Sequence, residues 1–472
     1  MRGQSQSSIV AGSDTTHQQN KSNSLRRNAI QMPLRPVEVE VPEDEPFKNC
    51  QLGLQRQGEV LEQFLSTLDE PYVLAIDSPW GSGKSTFIRM LRQQLKNNGF
   101  NTIHFNAWES DFCEEPFVGM VSEVTSALSK LPGNQLSPKT EKIKAAGKQV
   151  LKRLIPVGAK IATMGALDLD KELESVERAM AGASEKIAED MMDSYGESKS
   201  DIKCFRETLE QFVEGLGKPL IFFVDELDRC RPSFAVELLE RAKHLFSVNG
   251  VVFLLAVDKT QLGHSIQGLY GPSFDAAGYL RRFIDMDYHL HPKAHNRFYD
   301  SAIESSGVKG ELSRLGDYST AKRTGMHSLL ESVFSGLNLS LREQIQLLSR
   351  AAVVLKTIPS GDAVFDYELS LMLVLRDRRP ELFRRYSSGG ESVEDVIDFF
   401  CSIPGDVSDD LGEITKAVLI VGYKSLSESQ GELDLESRSD ELKGHVRKML
   451  SHGRWNMKTT IDRLKMAESF YS

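Results

Sequence analysis

The sequence predicts an α/β fold in which a mainly parallel sheet is covered by helices on both faces, and three stretches carry that prediction. In the first, Val73 to Ile76 run into a turn bearing Gly81 and Gly83, then into Lys84-Ser85 and a helical pattern over Phe87 to Leu95. In the second, Leu220-Ile-Phe-Phe-Val224 ends in Asp225-Glu226. In the third, Val251-Val-Phe-Leu-Leu-Ala-Val257 ends in Asp258. Short apolar runs bounded by turn residues read as strands buried on both faces, and the intervening stretches have helical spacing.

The chain has 472 residues, enough for two or three domains and a substantial core. Its net charge of −10 argues against duplex DNA as the main partner. Cys50, Cys113, Cys204, Cys230 and Cys401 are far apart and form no C-x-x-C pair, which favours reduced thiols in a cytosolic protein. No apolar segment follows Met1-Arg2, so no secretory signal is predicted, and no uninterrupted apolar run reaches the roughly 20 residues of a bilayer span.

In chain order, residues 1–45 are rich in Ser, Gln, Asn and Thr and read as a disordered arm. Leu52 to Leu68 have helical spacing and lead into the first strand. Thr102-Ile-His-Phe105 reads as a short strand ending in Asn106-Ala-Trp108, and Pro116 to Leu131 as an amphipathic helix. The residues leave two readings of Trp108 open: an aromatic facing a ligand at a strand's carboxyl end, or a plain core aromatic. Residues 130–200, basic at first and acidic later, read as a helical insertion, which divides a core over 46–129 and 201–292. Residues 293–472 read as a helical lid and interaction region. Within it Ser340-Leu-Arg-Glu343 has capping-box spacing, and Phe365 to Leu375 form an apolar helix too short to span a bilayer.

Strand, glycine turn, Lys-Ser and helix together form the layout of a phosphate-binding loop. Backbone N–H groups can wrap a triphosphate only where missing Cβ atoms let the chain come close. Ser78, Pro79, Trp80, Gly81, Ser82, Gly83, Lys84, Ser85 and Thr86 are the candidate nucleotide-binding residues. Lys84 would reach the β- and γ-phosphates of ATP, the Ser85 hydroxyl would bind Mg²⁺, and the helix N-terminus would face the charge. The pattern G-x-x-x-x-G-K-[ST] places a glycine where this chain has Ser78, so the loop reads as loosened but intact.

Asp225 at the end of a buried strand has the form of a Walker B carboxylate holding Mg²⁺ through water, with Glu226 placed to orient or deprotonate the attacking water. Asp258 is a candidate sensor of the γ-phosphate. Arg281 and Arg282 are candidate arginine fingers, although arginines on a helix surface are far commoner than fingers. No N-K-x-D element is present, so ATP is the default nucleotide.

These residues resemble the KAP family of P-loop NTPases. The marks are Trp80-Gly-Ser-Gly-Lys-Ser85, Phe105-Asn-Ala-Trp108, Phe223-Val-Asp-Glu-Leu-Asp-Arg-Cys-Arg-Pro232, Leu255-Ala-Val-Asp258 and Tyr279-Leu-Arg-Arg-Phe-Ile284, in family order from about Leu52 to Phe383. The resemblance implies an additional-strand α/β ATPase core followed by a helical region. It also implies phosphate and Mg²⁺ binding by Lys84 and Ser85, a Walker B role for Asp225, and a place for Asp228 and Arg229 at the nucleotide-responsive edge. Arg342, near the start of a lid-like helix, falls where the family often carries an arginine. Two departures are Ser78 and Glu226, the latter standing where many members have a second aspartate. Many members carry transmembrane helices between the Walker elements; this chain's insertion is too polar for that.

The expected function is a cytosolic Mg²⁺-ATPase acting as a switch or motor in a multiprotein assembly, through the insertion and the C-terminal helices. Bacterial members often resemble components of phage exclusion, which makes antiviral defence the expected setting. Two other readings stand beside it. One is a nucleotide-dependent scaffold that scarcely hydrolyses ATP. The other is a nucleic-acid motor or clamp using Lys142, Lys144 and Lys148. An arginine finger supplied in trans would require nucleotide-dependent self-association.

Overall fold

The structure, a computed structural model, describes residues 38–112, 115–129, 138–154, 200–292, 296–315, 326–359, 366–389, 393–404, 410–426, 438–451 and 457–466. Most of the arm predicted over 1–45 and most of the insertion predicted over 130–200 lie outside these residues, as does Cys113. The chain divides into two compact units, one spanning Val39–His295 and the other containing Asn296–Ser472.

The first unit is built on five parallel strands: β1 (Tyr72–Asp77), β2 (Asn101–Asn106), β3 (Leu220–Asp225), β4 (Val251–Val257) and β5 (Met286–His289), ordered β2-β3-β4-β1-β5. β4 thus stands between β1, which leads into the glycine turn, and β3, which ends in Asp225. The register sets Asp77 opposite Val257, Asp225 opposite Ala256 and Asn106 opposite Asp225. β1 to β4 therefore end along one edge, and the residues that follow them are gathered there.

The three predicted strands are apolar without interruption because both faces of the sheet are covered. Successive side chains alternate between faces. Val73, Ala75, Phe222, Val224, Phe253 and Leu255 join one buried cluster, while Leu74, Ile76, Ile221, Phe223, Val252 and Leu254 join the other. The second face is covered by the helices Gln55–Leu65 and Lys84–Asn97, which bury Leu61, Leu65, Phe87, Ile88 and Leu91. The first is covered by Pro116–Ser129, Pro232–Phe246 and Lys259–Tyr270, which bury Phe117, Val121, Leu238, Leu239 and Leu262 among others. Full burial of each such side chain contributes roughly 1.5–3 kcal/mol, set against the entropy of ordering it.

The stretch Pro138–Leu154, basic in composition, is a helix whose spacing puts Ile143, Ala146 and Val150 into the first cluster and leaves Lys142 and Lys148 exposed. A Cβ on Gly147 would come within 2.4 Å of the Thr125 methyl group. This helix therefore packs closely on Pro116–Ser129, and the start of the stretch read as an insertion belongs to this unit's core. β5 has no counterpart in the sequence reading: four residues long, polar and largely exposed, it lies at the sheet's edge.

The second unit is helical. Its helix Asp366–Arg378 buries Tyr367, Leu369, Leu371, Met372, Leu373, Val374 and Leu375, so it is covered on all sides. The predicted capping box opens Leu341–Lys356: the Glu343 N–H donates to Ser340 Oγ at 3.3 Å, and the Ser340 N–H donates to Glu343 Oε2 at 2.7 Å. No helix among the described residues is long and apolar enough to cross a membrane.

Candidate functional site

The turn after β1 is held in shape by its own residues and by the ends of β3 and β4. Gly81 and Gly83 have φ values of 78° and 90°, a backbone region that side chains disfavour, so the glycines at these two positions are required by the turn. Ser78 needs no such freedom. It is buried, its N–H donates to Val257 O at 3.1 Å, and its hydroxyl donates to Ser82 Oγ at 2.7 Å. Serine at this position braces the base of the loop, which accounts physically for the missing glycine.

Lys84 opens the helix Lys84–Asn97 and is itself buried, with its ammonium donating to Ser78 O at 3.0 Å and standing 3.6 Å from Asp228 Oδ2. Burial pulls its pKa down; the carboxylates of Asp228, Asp258 and Asp225 oppose that effect. The next residue, Ser85, donates to Asp225 Oδ1 at 3.5 Å across the gap from β1 to β3. Burial, and secondarily the charge of Glu226, push the Asp225 carboxyl up to about 6. A hydroxyl and a carboxylate oxygen set close together in a buried place suit a hard cation, which takes oxygen ligands.

Asp228 and Asp258, expected to act on nucleotide, are engaged in holding the loop. Asp228 Oδ2 accepts from the Trp80 indole N–H at 2.5 Å and from the Asp258 N–H at 2.9 Å. Asp258 Oδ1 caps Lys259–Tyr270 by accepting from the Thr260 and Gln261 N–H groups, and its Oδ2 accepts from the Trp80 N–H at 3.2 Å. Trp80 is thus pinned at both its indole and its backbone, and this explains why a large aromatic sits in a phosphate loop while the residue remains 43% exposed. Pro79 beside it is exposed and Thr86, in the helix, is half-buried.

Glu226 begins the 3-10 turn Leu227–Arg229 at a φ of 62°, an uncommon value for a residue with a side chain and a form of strain concentrated at functional sites. Its carboxylate pairs with the Arg229 guanidinium at 2.9 Å, and Arg229 lies over the Trp108 ring at 5.8 Å. Trp108 is 54% exposed, so of its two readings the core aromatic is excluded. The Cys230 thiol is buried and pushed up to about 12, which leaves it a packing group, not a nucleophile.

Arg281 and Arg282 are not brought to this site. Both are exposed and precede β5, which runs parallel to β1; the Asp285 N–H donates to Val73 O, at the start of β1. They lie at the sheet's amino end, roughly 10 Å or more of strand away from the loop. Arg342 is exposed in the first turn of Leu341–Lys356, in the other unit.

Sequence reasoning did not find the contacts that support the site. Lys259 N–H donates to Asp77 Oδ1 at 3.0 Å, and Arg231 grips Asp111 through its backbone and side chain at 2.9 Å, tying the turn after β3 to the loop after β2. No spacing rule signals such pairs, because the partners are brought together only by strand order.

A five-stranded parallel sheet with a strand inserted between the glycine loop and the Walker B strand, and with Lys84, Ser85 and Asp225 converging at one edge, defines a P-loop nucleotide-binding domain. The family model described as the KAP family P-loop domain matches residues 57–357, and the chain belongs to that family. No curated protein matches the chain significantly. Among solved structures, the chain is similar to the Aeropyrum pernix ORC2 protein in ADPNP-ADP complexes, at 13% identity and a TM-score of 0.30, covering 93% of this chain and 90% of that one. It is also similar to AMPPCP-bound DnaA from Aquifex aeolicus, at 11% identity and a TM-score of 0.29, covering 92% of this chain and 99% of that one. Both likenesses are weak, and the family assignment rests on the family match.

Proposed function

We propose that the chain is a Mg²⁺-dependent ATPase that works as a switch within a protein assembly. The observation that carries this reading is the convergence of Lys84, Ser85 and Asp225 at the carboxyl edge of the sheet, with Glu226 next in the chain. Lys84 and the backbone N–H groups of the glycine turn would hold the phosphates, and Ser85 and Asp225 would hold Mg²⁺, whose charge neutralises that developing on the phosphates. Among the described residues no cluster of three or more His, Cys, Asp or Glu is placed to hold a metal alone. Mg²⁺ commonly takes one or two protein oxygens and completes its shell with phosphate and water.

In the hydrolytic step Glu226 accepts a proton from water as the water oxygen bonds the γ-phosphorus and the bond to the ADP oxygen breaks, giving ADP and phosphate. Arg281 and Arg282, being exposed at the opposite end of the sheet, would act only on a neighbouring copy, so a finger role requires self-association. The cytosolic setting in bacterial antiviral defence is proposed on the resemblance of the motifs alone. One observation favours a second reading, a scaffold that binds ATP without turning it over: the Glu226 carboxylate is held in an ion pair.

Lys84→Ala tests the site. Asp228 keeps its bonds to Trp80 and Asp258 in that variant, so the loop retains its ties. ATP turnover is expected to fall at least about a hundredfold; turnover that persists would remove the assigned loop from the chemistry. Trp80→Phe keeps an aromatic ring and deletes the indole donor to Asp228. Loss of a hydrogen bond to a charged group is expected to weaken ATP binding about three- to tenfold, measured by equilibrium titration with a fluorescent ATP analogue. Unchanged affinity would show that the indole contact does not order the loop.

A further inference from the structure

The Glu226 carboxylate is held by a residue of its own turn. The Asp225 carboxylate, one residue earlier, points at Ser85, and Lys84 is engaged by Ser78 and Asp228. The Glu226 carboxylate faces Arg229 at 2.9 Å, and the two side chains are only 16% and 29% exposed. Both ends of the pair belong to one tight turn, closed by the Arg229 N–H donating to Glu226 O at 3.1 Å. The guanidinium in turn leans on the ring of Trp108, whose backbone is held where the chain leaves β2: the Trp108 backbone N–H donates to Asn106 Oδ1 at 3.1 Å.

We infer that Arg229 is a positioning residue that restrains Glu226, so that hydrolysis proceeds from the minor arrangement in which the pair is open. A carboxylate oxygen engaged by a guanidinium is oriented by its partner, not by the water. The inference rests on the ATPase reading and specifies how its rate is held low. It also assigns Arg229 the opposite sign from a finger: a finger speeds the reaction by meeting the phosphate, whereas a restraint slows it by occupying the base. Trp108 backs the restraint from the surface side.

The test is steady-state ATP turnover of the full chain with Mg²⁺, with ATP binding measured in parallel, for wild type, Arg229→Ala, Arg229→Lys and Trp108→Ala. Arg229→Ala is expected to raise kcat roughly two- to fivefold, the factor by which loss of a partly exposed ion pair shifts an equilibrium, with KM unchanged. Arg229→Lys, which keeps a cation in reach of Glu226, is expected to stay near wild type, and Trp108→Ala to give a smaller rise than Arg229→Ala. Arg229→Met, which keeps the apolar stem, replaces Arg229→Ala if that variant does not fold. A kcat for the uncharged variant equal to or below wild type, with ATP still bound, overturns the restraint and leaves the ATPase reading standing. If wild type and all variants bind ATP and none hydrolyses it, the ATPase reading fails, and the restraint with it.

Discussion

Glu226→Gln is expected to lower ATP turnover by about 10²–10⁴, the usual contribution of a positioned general base, while ATP affinity stays within about twofold of wild type. The substitution is close to isosteric and the amide oxygen can still accept from Arg229, so the strained turn at Glu226 is preserved. Lys84, Ser85 and Asp225 keep their arrangement, which is why binding survives. Turnover and affinity measured on the same preparation separate the two quantities. Equal loss of both would place Glu226 in binding; loss of neither would leave the water without its base.

The second large effect lies in the helical unit and concerns Glu368. It stands in Asp366–Arg378, 1% exposed, and neither carboxylate oxygen makes a well-formed hydrogen bond. Burial pushes its carboxyl up to about 7, opposed only in part by the nearby Thr460 hydroxyl, and its charge raises the already buried Tyr386 hydroxyl further. Because the folded state holds this proton more tightly than the unfolded chain, the contribution of Glu368 to stability is fully present below the ordinary carboxylate pKa of about 4.5 and is lost as pH rises through about 7. A displacement from 4.5 to about 7 corresponds to about 3 kcal/mol at alkaline pH. Glu368→Gln is therefore expected to raise the urea midpoint of this unit at pH 8 and to change it little at pH 5. A stability gap that is the same at both pH values would mean that Glu368 does not titrate in the folded unit.

The core of the fold was legible because it is encoded locally. Val73–Ile76, Leu220–Val224 and Val251–Val257 are uninterrupted apolar runs because the sheet is covered on both faces, and Ser340 to Glu343 is a capping box within four residues. β5 was not legible, since an exposed edge strand carries no apolar run. Spacing in the sequence singled out Lys84, Ser85 and Asp225, which the structure places close together. The contacts of Asp228 and Asp258 with Trp80 were not legible, because they join residues 148 and 178 positions apart that only strand order brings near. The placement of Arg281 and Arg282 at the sheet's amino end was not legible either, because it follows from β5, the strand they precede. The basic composition of Lys139 to Arg153 masked the apolar stripe Ile143, Ala146 and Val150, which anchors that helix to the core.

The central claim is that the loop from Ser78 to Thr86, with Asp225 and Glu226, cleaves ATP and does not merely hold it. Release of γ-phosphate from labelled ATP under single-turnover conditions, with the full chain in excess and Mg²⁺ present or chelated, tests this most directly. Mg²⁺-dependent release of the whole bound label is expected, slowed by Glu226→Gln and lost with Lys84→Ala. Stoichiometrically bound ATP that remains intact in the presence of Mg²⁺ would contradict it.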